Sequence, residues 1–429
     1  MTRRRVAITG LGTITPLGHD VETLWRALLD VTSGISPTEL FDASTFPTTF
    51  SAQVKNFDLA DHLPNASDHA HAGRATRFAL AAAQQAWRQA GLDHRHLDPA
   101  RVSLYLGCGE GSLDFDSFAA CLIDAWGDGK LDAVRWAELA GRRMDMHREL
   151  EQEANMVAAH LAAQFDVRGA TFNVLTACAA STQALGEATW LIRGGDADVV
   201  ISGGSHSMIH PLGLTGFNRL TALSTRNDTI ETSSRPFDMT RDGFVLGEGS
   251  SILILEDLDA ARRRGATILA EIIGVGSSAD AFRITDQDPA GEGAAAAMRL
   301  ALADAGVAPE QIGYISTHGT ATQQNDTVET RGMKAAFGEA IRSIPCSSIK
   351  SMLGHLIAAA GATELITCVL AIRDGMLPPT AHLNTPDPEC DLDYIPNTPR
   401  RAHVDIVMSN SMGFGGQNDS IIVRRYGEG

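Results

Sequence analysis

The sequence predicts an α/β protein built as two similar layered halves. Short β-branched runs alternate with Ala-rich stretches of helical period along the whole chain. Each half also holds a strand that ends in a reactive side chain or a Gly-rich turn and leads into an Ala-rich helix. With 41 glycines in 429 residues and only 6% aromatics, the interior must be small, aliphatic and rich in close backbone approaches.

In the first half, strand patterns are read at Arg5–Gly10, Val102–Gly107, Thr171–Thr176 and Val199–Gly203 from runs of Val, Ile, Leu and Thr bounded by glycine or polar residues. Helices are read at Arg77–Gly91 and Ala179–Gly194, each Ala-rich and closed by glycine. A second series follows with the same alternation. Strand patterns fall at Ser251–Leu255, Ile268–Val275, Ile312–His318, Val404–Asn410 and Ser420–Arg424, and helical patterns at Glu292–Ala305, Thr327–Phe337 and Gly354–Arg373. The division is expected as 1–257 and 258–429, with the polar Thr225–Arg241 stretch as the linker-like segment and no literal repeat. Residues 113–155, with Asp114, Asp116, Asp124, Asp128 and Asp132 and a basic group at Arg142, Arg143 and Arg148, read as a partly helical insertion.

The net charge, 35 minus 52 or −17, argues against nucleic-acid and anionic-membrane partners, which need clustered Lys and Arg. Six cysteines without CxxC pairs argue against zinc or a disulfide scaffold. No stretch has the length of a signal peptide or membrane span, so a cytoplasmic protein is expected.

Four segments can carry chemistry. Cys178, in Thr176-Ala177-Cys178-Ala179-Ala180-Ser181, follows a strand and opens a helix, where N–H groups and the helix dipole favour thiolate and can receive an oxyanion. The alternative is a buried structural thiol, the reading given to Cys108, Cys346 and Cys368. His318 ends a strand in Ser316-Thr317-His318-Gly319-Thr320-Ala321-Thr322, beside threonines suited to a polar ligand arm, or it is a structural histidine. Lys350 is expected to end a strand and His355 to open an apolar helix, which would keep the imidazole neutral. A structural ion pair of Lys350 with Glu364, brought together only by tertiary folding, is the other reading. Asn410 to Asn418, with Gly413, Gly415 and Gly416, makes either an oxyanion nest or a tight hairpin.

In this order the four segments resemble the β-ketoacyl-acyl carrier protein synthases, condensing enzymes of the thiolase-like fold. The likeness also takes in Arg5-Val6-Ala7-Ile8-Thr9-Gly10-Leu11-Gly12, Ser234-Arg235-Pro236-Phe237-Asp238 and Arg241-Asp242-Gly243-Phe244-Val245-Leu246-Gly247-Glu248-Gly249, and so runs nearly end to end. The resemblance implies a layered α-β-α-β-α arrangement and decarboxylative Claisen condensation of malonyl-acyl carrier protein with an enzyme-bound acyl chain. It implies Cys178 as the acyl-carrying nucleophile, His318 and His355 as the decarboxylation pair, and Lys350, with Glu364 near it, as organiser. Phe414 matches a gating residue whose N–H shares the oxyanion hole. Thr320 and Thr322 match holders of the phosphopantetheine arm, and Phe217 an aromatic beside the substrate channel. Glu329 matches a structural acid, near a monovalent cation in some relatives. No bound cofactor or catalytic metal is implied; the partners are acyl carrier protein and a second subunit, either the same chain or a chain-length subunit. Basic residues near helix starts, Arg74 and Arg77 before Arg142 and Arg143, are the expected carrier contacts.

Four positions depart from the pattern. Met412 replaces a second Phe, Thr221 an Arg, Arg283 a His of a mobile loop, and Glu110 an apolar residue of the acyl pocket. Fatty acid synthesis is the leading role, with a type II polyketide or specialised lipid ketosynthase as the alternative. A catalytically inert partner subunit would lack Cys178. A degradative thiolase would need a second cysteine where Phe414 stands, and Gly10-Leu11-Gly12 fails as a dinucleotide fingerprint because Thr15 holds the third glycine position.

Overall fold

The computed structural model describes residues 3–111, 113–283 and 286–427. Ile284 and Thr285, at the end of the Arg283 loop, lie outside the described residues. One ten-stranded sheet runs through the molecule, with strands β1 (Val6–Ile14), β2 (Val102–Cys108), β3 (Thr171–Val174), β4 (Val199–His206), β5 (Gly249–Asp257), β6 (Ala270–Ala279), β7 (Tyr314–Ser316), β8 (Cys346–Ser347), β9 (Ile406–Gly413) and β10 (Gln417–Arg424). Their spatial order is β8-β7-β9-β10-β6-β1-β5-β4-β2-β3.

The sheet has an internal repeat. From β1 outward the pairings run antiparallel, antiparallel, parallel, parallel through β5, β4, β2 and β3. From β6 outward the same series runs through β10, β9, β7 and β8. The two sets of five join where β1 pairs antiparallel with β6, Val6 facing Ile272.

Helices complete the layers. Helix α1 (Arg74–Ala90) covers β1 and β5, α2 (Ala180–Gly194) packs on β2 and β4, and α3 (Pro211–Arg219) stands near the site. Helices α4 (Glu292–Ala305) and α5 (Gln323–Phe337) cover the β6 side, and α6 (Ala360–Asp374) lies against both α2 and β9. The repeat extends to the central helices. Three-residue 3-10 turns, Ala177–Ala179 and Ile357–Ala359, precede α2 and α6, each helix spans 15 residues, and each ends on a left-handed glycine, Gly195 or Gly375. Ala177 and Ile357 open those turns with φ of +48° and +47°, so Cys178 and Ala358 occupy equivalent places.

Glycine permits the outer helix contacts. A Cβ at Gly12 would lie 1.9 Å from the Ala82 carbonyl oxygen of α1, and one at Gly276 would lie 2.1 Å from that of Ala297 in α4. Both strands sit flush against a helix backbone as a result.

Residues 113–155 form helices Phe115–Asp124, Ala133–Arg143 and Met146–Leu150 with a small hairpin, anchored at Glu151, which accepts from Gly73 N. The Thr225–Arg241 stretch is not a linker. Phe237 is fully buried and stacks on Tyr394 at 3.6 Å, and the buried Arg241 side chain pairs with Asp387 at 2.6 Å. The first half of the stretch, including Asn227, Asp228 and Glu231, faces solvent, while Ser233, Ser234, Asp238 and Arg241 are buried. Among the described residues no helix is long and apolar enough to cross a membrane.

Gly12→Val should destabilise the chain by roughly 1–3 kcal/mol through overpacking on α1, read as a lower urea midpoint. An unchanged midpoint would mean that α1 does not pack as described.

Candidate active site

Cys178 sits in the 3-10 turn between β3 and α2, 5% exposed. The turn is held by the Ala179 N–H donating to the Thr176 carbonyl at 3.0 Å and by the unusual φ of Ala177. Helix-start placement predicts a depressed thiol pKa. Burial wins instead and pushes the Cys178 thiol up to about 12, although the Lys350 charge and the backbone N–H groups of Phe414 and Cys178 pull the other way. The resting group is therefore a thiol, with two N–H groups directed at its sulfur.

His318 follows β7 and is buried. Its own N–H and that of Gly319 donate to the two oxygens of Glu329, each at 2.8 Å. Burial raises that carboxyl to about 7. Both oxygens thus have backbone partners, and Glu329 works as the hub of the loop; a structural cation there would add to these bonds. Lys350 does not end a strand: β8 stops at Ser347, and Lys350 opens the short helical turn Lys350–Leu353. Its ammonium, 2% exposed, donates to the His318 carbonyl at 2.6 Å and to Glu364, and approaches His318 Nδ1 at 3.4 Å.

His355 does not open a helix either. Gly354, at φ +71°, turns the chain so that His355 lies extended beside Leu246, its N–H donating to the Val245 carbonyl at 2.8 Å, and α6 begins only at Ala360. The neutral imidazole predicted from a helix dipole has another origin. Burial first, then the Lys350 charge, hold both His318 and His355 well below the usual histidine range.

The hydrogen bonds also set the tautomers. The Ile357 N–H donates to His355 Nδ1 at 3.3 Å and Lys350 Nζ faces His318 Nδ1, so each neutral ring carries its proton on Nε2. His355 Nε2 is buried and has no partner among the described residues. Cys178, His318 and His355 form the one cluster of three potential ligands found there, their ligand atoms within 4.8 Å of one another. Two N–H donors facing a thiol suit an oxygen acceptor better than a metal cation, which needs free nitrogen lone pairs.

These groups line a cavity of about 480 Å³ together with Thr320, Thr322, Met412 and Phe414. Thr320 and Thr322 hydroxyls lie 3.0 Å apart, and Thr322 also caps α5. Phe414, in the hairpin between β9 and β10, is 38% exposed, while Met412 is buried. The Gly-rich segment is thus both the tight hairpin and the carrier of an N–H aimed at the sulfur. Thr221 lines the cavity too. Phe217 does not; it packs edge-on against Phe244 at 5.3 Å, and Phe244 packs edge-on against His355 at 5.3 Å. Glu110 is exposed at the end of β2, outside the cavity lining.

Sequence reasoning missed Phe244, which supports the His355 ring, because an aromatic in a Gly-rich loop carries no periodic signal. It also missed Asp326, whose carboxylate accepts from Phe237 N at 2.8 Å and Thr320 N at 3.1 Å. Of the arginines expected at the carrier, Arg74 is committed elsewhere, in a two-point pair with the buried Glu248. Arg77 donates to the Ala70 and Ala72 carbonyls, and Arg143 pairs with Asp124 at 2.6 Å.

The family described as "Beta-ketoacyl synthase, N-terminal domain" matches residues 3–261, and its C-terminal domain matches residues 269–384. The chain belongs to the β-ketoacyl synthase family. This synthase is 42% identical over 425 residues, 99% of each chain, to 3-oxoacyl-[acyl-carrier-protein] synthase 2 of Coxiella burnetii. Among solved structures it resembles the ketosynthase of a type II polyketide acyl-carrier protein complex bound to a hexaketide, with a TM-score of 0.87, 32% identity, and coverage of 99% of this chain and 100% of that one. The ishigamide ketosynthase/chain length factor matches at a TM-score of 0.87 and 34% identity, with the same coverage. The fold is thus thiolase-like, and the synthase is an acyltransferase-type enzyme.

Two outcomes follow from the buried charges. Because the synthase holds its Cys178 thiol high, iodoacetamide alkylation of that residue should climb about tenfold per pH unit from 7 through 10; mass spectrometry showing a plateau near 8.5 would contradict the burial argument. Glu364→Gln should cost about 3–5 kcal/mol by leaving the Lys350 ammonium buried and unpaired, read from urea unfolding, and replacing both residues with Met and Leu should recover most of that loss.

Proposed function

We propose that the synthase joins an acyl chain carried on Cys178 to malonyl-acyl carrier protein by decarboxylative Claisen condensation, in fatty-acid-type elongation. The observation that carries this reading is the buried convergence of the Cys178 sulfur with two neutral imidazoles whose Nε2–H groups serve as donors.

The chemistry runs in two stages. In acyl transfer, the Cys178 sulfur attacks the thioester carbonyl of the incoming acyl-phosphopantetheine, the Cys178 proton passes to the departing pantetheine sulfur, and a new thioester forms on the enzyme. The N–H groups of Cys178 and Phe414 receive the oxyanion that builds on the carbonyl oxygen. Placing a thiol of such high pKa in a dry site makes that hole the main source of stabilisation. In condensation, malonyl-carrier protein binds, the carboxylate leaves as carbon dioxide, and the bond's electron pair moves into an enolate. The Nε2–H groups of His318 and His355 hold the enolate oxygen. The enolate carbon attacks the Cys178 thioester, and the released thiolate takes up a proton.

Thr320 and Thr322 are proposed to hold the phosphopantetheine arm, since their paired hydroxyls line the cavity beside His318. Phe414, partly exposed over the sulfur, is proposed as the gate. Acyl carrier protein delivers both substrates, and no bound cofactor enters a step. A two-chain assembly is proposed at the outer edge of the sheet, where β3 leaves an unpaired edge carrying exposed Phe172, with exposed Leu175 just beyond it. A second copy of this chain or a chain-length subunit fits that edge.

A polyketide or specialised lipid role is the second reading. Solved structures that the chain resembles at a TM-score of 0.87 include the ketosynthase of a type II polyketide carrier-protein complex, which supports this reading.

In single-turnover assays, Cys178→Ala should form no acyl-enzyme with acyl-carrier protein, and His355→Ala should still acylate but lose malonyl decarboxylation by about two orders of magnitude or more. Intact-protein mass spectrometry and carbon dioxide release measure the two steps separately. Acylation of the Cys178→Ala variant, or undiminished carbon dioxide from His355→Ala, would reject the assignment.

A further inference from the structure

The turn Thr320-Ala321-Thr322, whose two threonines line the cavity, lies between β7 and α5 and belongs to neither. Ala321 at its centre is fully buried at a φ of +68°. A residue with a Cβ adopts that left-handed conformation only where its surroundings hold it there. Each residue of the turn has a backbone group fixed from outside. The Thr320 N–H donates to Asp326 Oδ1 at 3.1 Å, the Ala321 carbonyl accepts from Gly243 N at 3.1 Å, and the Thr322 carbonyl accepts from Arg241 Nε at 3.0 Å. Two of these partners come from the segment Arg241–Gly243, and Asp326 Oδ2 lies 3.6 Å from Arg241 Nε.

Arg241 is the centre of that clamp, its side chain 2% exposed. Besides the Nε bond to Thr322, Nη1 donates to the Asp238 carbonyl at 3.0 Å and to Asp387 at 2.6 Å. Nη2 donates to the Gln323 carbonyl at 3.0 Å and to Thr327 Oγ1 at 3.1 Å. These contacts match the full donor set of a guanidinium. Thr322 and Gln323 supply the carbonyls at the start of α5, where the helical bond from Asp326 N to the Thr322 carbonyl is stretched to 3.4 Å. Arg241 is therefore the close partner of that carbonyl. A lysine offers its donors from one point and cannot span these acceptors. Stability alone does not call for such a group, since apolar packing often matches or betters a buried ion pair.

What the clamp fixes is a pair of hydroxyls. Thr322 Oγ1 accepts from Asn325 N at 3.3 Å and lies 3.0 Å from Thr320 Oγ1. One hydroxyl hydrogen is spent between the two, so the other is left to donate to a ligand in the cavity. An amide carbonyl is a fitting acceptor, and a shift of the Thr322 backbone would carry the donor away from it. Asp242 and Gly243 line the cavity and Arg241 does not, so its guanidinium acts from behind the turn and touches no substrate.

We infer that Arg241 is a positioning residue, which holds the Thr320-Ala321-Thr322 turn so that its free hydroxyl meets an amide of the phosphopantetheine arm. The inference rests on the reading of Thr320 and Thr322 as holders of that arm.

The test measures carbon dioxide release by the intact protein from malonyl-pantetheine and from the malonyl ethyl thioester, which has no amide for the turn to hold. The ratio of the two kcat/KM values cancels any loss of folded protein. Arg241→Lys, which keeps the charge but not the fork, should lower the ratio about ten- to hundredfold, chiefly through a higher KM for malonyl-pantetheine. Asp387→Asn should lower it in the same direction by less, and serves if the lysine variant does not fold. A ratio at the wild-type value in both variants, even with both rates reduced, makes Arg241 structural alone and overturns the inference. Thr320→Val/Thr322→Val separates the two readings. If that variant loses the preference for malonyl-pantetheine while Arg241→Lys keeps it, the inference about Arg241 falls by itself. If the threonine variant keeps the preference, the reading of the threonines falls as well.

Discussion

The buried pair of Lys350 and Glu364 is the interaction on which the rest of the site depends. Both groups are nearly inaccessible to water, and Lys350 spends its remaining donors on the carbonyl and Nδ1 side of His318. One ammonium thus ties the loop after β7 to α6 and fixes which nitrogen of His318 bears a proton. Its charge is also the second cause, after burial, that holds both imidazoles neutral. The same charge pulls down the thiol pKa that burial raises. A buried ion pair is weak evidence for stability, but its geometric consequences here are specific.

Desolvation is the second constraint. It lowers the histidines and raises the thiol, so at neutral pH these three groups are uncharged beside the Lys350–Glu364 ion pair, and it also raises the carboxyls of Glu329 and Glu364 to about 7. Such a site stabilises an oxyanion or an enolate through fixed N–H groups rather than through mobile charge. The backbone supplies half of them, from the strained turn at Ala177 and the hairpin at Phe414.

The internal repeat explains how one fold builds this site. Cys178 and Ala358 occupy equivalent turns before equivalent helices, yet only the first carries chemistry, while the second half contributes His318, Lys350, His355 and the hairpin. The halves therefore supply different parts to one cavity at their junction. No literal repeat shows in the sequence because what recurs is a backbone path. Thr182 in α2 faces Gly361 in α6, and the contact demands different side chains from the two copies: a Cβ on Gly361 would fall 1.9 Å from the Thr182 hydroxyl.

The alternation of β-branched runs with Ala-rich helices determined the α/β class, because burial on a sheet or on one helix face imposes period and composition directly. Cys178, His318, Lys350 and His355 were legible as chemistry-bearing residues because each stands in a short motif at the end of a strand or beside a turn. Their chemical state was not legible. Helix-start positions suggested a thiolate at Cys178 and a dipole-tuned His355, whereas the folded chain places a thiol in a dry pocket and His355 in an extended segment ahead of its helix. Proton affinity depends on everything that surrounds a group in three dimensions, and sequence neighbours are a small part of that. For the same reason the sequence could name Arg74 as a basic residue near a helix start but not its commitment to Glu248, 174 positions away.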